Sequence, residues 1–65
     1  METYLQNQIN LCENSKLYML TEFFKNILKV YNSVSIEQFS IFIDFNIIES
    51  PEYFKNELLT IKSML

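Results

Sequence analysis

The amino-acid sequence predicts an all-α protein, a small bundle of two or three antiparallel helices completed by oligomerisation or by a partner. Apolar side chains recur at helical spacing in three segments of the 65-residue chain, the pattern of helices that each bury one face. Two of those segments open on helix-start signals, at Ser35 and at Ser50-Pro51. Hydrophobic residues make up 49% of the chain and aromatics 15%, more apolar surface than so small a domain can hide. Exposed apolar patches of that kind mark interaction sites.

The first segment covers residues 2–31. Leu5, Ile9 and Cys12 step by four and three, and the stripe resumes with Leu20, Phe23, Ile27 and Val30. Leu17, Phe24, Leu28 and Tyr31 widen it into a broad face. Glu13 and Lys16, three apart, favour one continuous helix by a few tenths of a kcal/mol. Against this, Asn14-Ser15 can cap a fresh helix, and long helices without caps are uncommon in small domains. The expectation is therefore a break or bend near Asn14, with a single long helix as the alternative.

Asn32-Ser33-Val34-Ser35 is a turn, and Ser35 followed by Gln38 reads as a capping box: the hydroxyl takes an orphan backbone N–H and the glutamine reaches back. The segment it starts, 36–47, fits two periods. As a helix it places Ile36, Phe39, Ile43 and Ile47 on one face, and its residue types also suit a strand. A strand needs a partner strand, and no other segment supplies one except in a second chain, so a helix is expected. Ile41, Phe45 and Ile48 then form a second apolar face.

The last segment, 51–64, has the strongest local start: Ser50 at the N-cap, Pro51 in the first helical position and Glu52 in the first turn. Phe54, Leu58, Ile61 and Leu65 follow as a clean stripe. The whole chain, 1–65, reads as a single helical domain.

Composition excludes much chemistry. There is no Gly, Ala, His, Arg or Trp. Without Gly no phosphate-cradling loop can form, and positive φ is expected to fall to Asn or Ser. Cys12 has no His to deprotonate it and sits in an apolar stripe, and one Cys without His cannot build the usual zinc site. Ser35 and Ser50 are accounted for as caps. Glu37 and Asp44 lie two turns apart on one helix, which reads as a solvated face. No catalytic residue, no metal site and no cofactor are expected.

The net charge of −3 offers nothing to a phosphate backbone. Segments 36–47 and 51–64 loosely mimic a helix-turn-helix, but the second would bring two Lys against two Glu and no Arg to the bases. No nucleic-acid partner is expected. No apolar run approaches the ~20 residues that span a bilayer, no secretory signal is visible, and one unpaired Cys suits a reducing compartment. The expected location is the cytoplasm, with no membrane association.

The expected partner is another protein, the chain itself, or both. The candidate binding residues are Phe39, Ile41, Phe42, Phe45, Ile48 and Tyr53, because Phe and Tyr are favoured interface anchors and several of these fall off the core stripes. The expected function is a non-enzymatic regulator of the antagonist, antirepressor or adaptor type. The alternatives are a homo-oligomeric assembly module and, further off, a small helix-turn-helix-like transcription regulator. Val34-Ser35-Ile36-Glu37-Gln38-Phe39, with Phe42-Ile43 and Asn46, resembles the hairpin of the Sin-type antirepressors of spore-forming bacteria, which trap a repressor by pairing helices. The preceding helix does not align without a gap. Ser40 and Asp44 share the spacing of a motif in the small sporulation phosphatases, but Ile41-Phe42-Ile43 between them does not match. Neither family is assigned.

Overall fold

The computed structural model describes all 65 residues. It contains four helices and no strand: α1 (Glu2–Asn14), α2 (Tyr18–Ser33), α3 (Ile36–Glu49) and α4 (Glu52–Ser63). The all-α class is as expected from the periodicity, and the count is corrected from two or three helices to four. The chain divides into two compact units, Met1–Val34 and Ser35–Leu65. Within the first, α1 packs on α2; within the second, α3 packs on α4.

The fourth helix arises where the first apolar segment breaks. Past Asn14 the chain closes α1 with two bonds: the Lys16 N–H donates to the Glu13 carbonyl at 3.1 Å, and the Leu17 N–H donates to the Cys12 carbonyl at 2.9 Å. This pair is the Schellman closure, which needs a left-handed residue just past the cap. Lys16 takes that role with φ of 58°, correcting the expectation of Asn or Ser. The closing bonds fix the position, and a lysine stands there in a chain without glycine. Its Cβ makes the conformation cost about 1 kcal/mol. Glu13 reaches instead to Lys25 on α2, at 3.9 Å, a half-exposed pair worth little.

In this first unit Leu5, Ile9 and Cys12 of α1 are buried, as are Thr21, Phe24 and Ile27 of α2. The buried line of α2 runs beside the expected one, leaving Leu20, Phe23 and Val30 only half-buried. A threonine is tolerated there because its hydroxyl donates to the Leu17 carbonyl at 2.9 Å, so no buried polar group is stranded.

The second unit begins at the capping box. The Gln38 N–H donates to Ser35 Oγ at 3.2 Å, and the Ser35 N–H donates to Gln38 Oε1 at 3.4 Å. The helix it starts runs to Glu49 and resolves the two readings of this segment in favour of the helix. Ser50 does not cap α4, as the sequence suggests. Its N–H donates to the Asn46 carbonyl at 2.8 Å, closing α3, and the following proline holds it extended at φ −82°, ψ 151°. Pro51 therefore takes the N-cap position of α4, where its carbonyl accepts from the Phe54 and Lys55 N–H groups at 3.0 and 3.2 Å. Phe39 and Ile43 of α3 are buried, as are Leu58 and Ile61 of α4.

Candidate interaction surface

Helix α3 carries Ile and Phe on two opposite faces, yet only Phe39 and Ile43 are buried. Each residue turns the helix by about 100°, so Ile41, Phe45 and Ile48 come round to the side opposite that pair. They keep 67%, 63% and 76% of their area exposed. Leaving large apolar side chains in water on one contiguous stripe forgoes roughly 1–2 kcal/mol each, a deficit that covering the stripe would recover.

The other residues named from the sequence fall elsewhere. Tyr53 is 62% exposed in the first turn of α4, its ring edge-to-face with Phe54 at 5.2 Å. Phe42 is half-buried, and its ring stacks on Phe39 with centroids 6.3 Å apart. Phe39 is fully buried and presents nothing to a partner. As one of the four residues at the centre of the α3–α4 pairing, it belongs to the core. The structure therefore keeps three of the six on one exposed stripe and a fourth at the start of the next helix.

A second exposed group stands at the start of α2, Leu17, Tyr18 and Met19, the last two at least 70% exposed; the sequence pattern assigns Leu17 to the broad apolar face and leaves the other two unmarked. The signal was present: three large side chains in a row directly after a helix break cannot all face one side. A shallow groove of about 300 Å³ also lies between α1 and α2, lined by residues that include Gln6, Glu13, Lys25 and Lys29.

Ionisable groups are spread along the helices. Asp44 is paired with Lys62 of α4, whose ammonium also donates to Ser40 Oγ at 2.6 Å. Lys62 is thus committed inside the α3–α4 unit and is not presented on the outer side of α4, where a helix-turn-helix would use it. No group of three or more His, Cys, Asp or Glu side chains is positioned to hold a metal ion. No helix is long and apolar enough to cross a membrane. No protein-family model, curated protein or solved structure matches the chain.

Proposed function

We propose that the protein is a small non-enzymatic regulator that binds another protein through the outward face of α3, as an antagonist, antirepressor or adaptor. The observation that carries this reading is the exposed stripe of Ile41, Phe45 and Ile48 on a helix whose opposite side is already packed. Covering these three side chains supplies on the order of 4 kcal/mol of hydrophobic free energy before the costs of association. Large side chains on a rigid helix suit that role, since little conformational entropy is lost on docking. Tyr53 at the start of α4 is a further anchor of the type favoured at interfaces.

Site-specific photo-crosslinking in cells of the source organism tests the reading. A crosslinker at position 41 or 45 is expected to label one and the same protein, which a crosslinker at exposed Lys29 of α2 does not label. Labelling of the chain itself from both α3 positions would replace the regulator with the homo-oligomeric assembly module. The same products from all three positions would sink the reading.

A further inference from the structure

We infer that the occupant of the α3 face is an amphipathic helix edged with basic residues, and not a second copy of this chain; the inference rests on the reading of α3 as a docking surface. Ile41, Phe45 and Ile48, spaced by four and three, are a stretch of heptad seam, occupying positions d, a and d in succession. In that register Gln38 is a preceding a position, while Phe39 and Ile43, the residues buried in the unit, fall at b and f on the far side. All three charged residues of α3 then land on the positions flanking the seam: Glu37 and Asp44 at g, and Glu49 at e. Each is acidic, each is exposed, and the helix contains no Lys.

The flanking positions of such a seam set which helix can pair with it, because their charges lie against those of the partner. A second copy docking through the same seam brings acidic edges against acidic edges, and like charges so juxtaposed disfavour the pairing. Lys62 of α4, which reaches this edge, is already held by Asp44 at 3.0 Å and by Ser40. That leaves Glu37 on one edge and Glu49 on the other, twelve residues or about 18 Å apart along the axis. The complementary surface is a helix with an apolar a/d stripe and Lys or Arg beside it at both ends.

Two synthetic helical peptides with identical Ile/Leu seams test this, one with Lys and the other with Glu at every flanking position. Binding to the full chain is measured by calorimetry at two salt concentrations, with sedimentation velocity on the chain alone. The Lys-edged peptide is expected to bind at least about tenfold more tightly than the Glu-edged one, with the ratio shrinking in high salt. In the double variant Glu37→Gln/Glu49→Gln the ratio falls towards one. F45D is expected to abolish binding of the Lys-edged peptide while the circular dichroism stays helical. Attraction by net charge alone would instead survive F45D, which adds a negative charge, and that survival would overturn the proposal. Equal binding of both peptides, lost in F45D, overturns the charge selection while leaving α3 as a docking surface. Binding of neither peptide overturns the docking surface and the inference with it. A dimer of the unmodified chain that F45D dissociates overturns the inference in favour of a second copy.

Discussion

The Lys62 ammonium of α4 is bound by both oxygens of the Asp44 carboxylate of α3, at 3.0 Å and 3.1 Å. With Ser40 Oγ accepting a third bond at 2.6 Å, one lysine ties two points on α3, a turn apart, to the last turn of α4. Lysine at that end of α4 also opposes the negative pole of the helix.

Exchanging this lysine for a side chain of similar length without charge removes all three contacts. Lys62→Met is expected to destabilise the protein by about 1 kcal/mol, since the pair is partly solvated and such pairs are individually worth little. Asp44→Asn, which leaves an oxygen to accept, is expected to cost less. Urea denaturation followed by circular dichroism checks the order. A Lys62→Met midpoint equal to that of the unmodified chain would show that the triad does not hold the hairpin.

Lys16 carries a left-handed backbone that glycine adopts without strain. Lys16→Gly is expected to raise stability by up to about 0.5 kcal/mol, the relief of the Cβ clash less the extra entropy of glycine in the unfolded chain. On a domain this small that shifts the thermal midpoint upward by a few degrees at most. Lys16→Ala, keeping the Cβ, is expected to gain nothing.

The two serines that look alike in sequence differ in structure. Ser35→Ala loses the hydroxyl of a formed capping box and is expected to cost about 1 kcal/mol. Ser50→Ala loses a side chain that caps nothing in α4, and its effect is expected within about 0.5 kcal/mol. Equal costs for the two would contradict the placement of Pro51 at the N-cap.

Ile43 and Ile41 are two residues apart on opposite sides of α3. Ile43→Ala empties part of the core and is expected to cost about 2–5 kcal/mol, enough to unfold much of so small a protein at room temperature. Ile41→Ala is expected to leave the midpoint nearly unchanged. Helical content measured on both variants separates the packed face from the open one.

Much of the architecture is legible in the residues. The all-α class follows from apolar side chains at helical spacing and the want of any segment for a strand in 36–47 to pair with. The capping box at Ser35 and Gln38 is readable because a cap uses groups three residues apart. The Ser50-Pro51 start is legible as a boundary but not in detail: Ser50 falls at the C-cap of α3, its N–H on the Asn46 carbonyl, and the N-cap of α4 moves to Pro51.

What the sequence by itself determined is local: which segments are helical and where α3 starts. Tertiary structure decided the rest, because burial depends on which helices meet and at what rotation. Helix α3 carries Ile and Phe on two opposite faces, so periodicity cannot choose between Phe39 and Phe45. The packing of α3 on α4 buries Phe39 and leaves Phe45 in water. The same pairing draws Lys62, eighteen residues further along the chain, onto Asp44, a partnership that no spacing rule within one helix could predict.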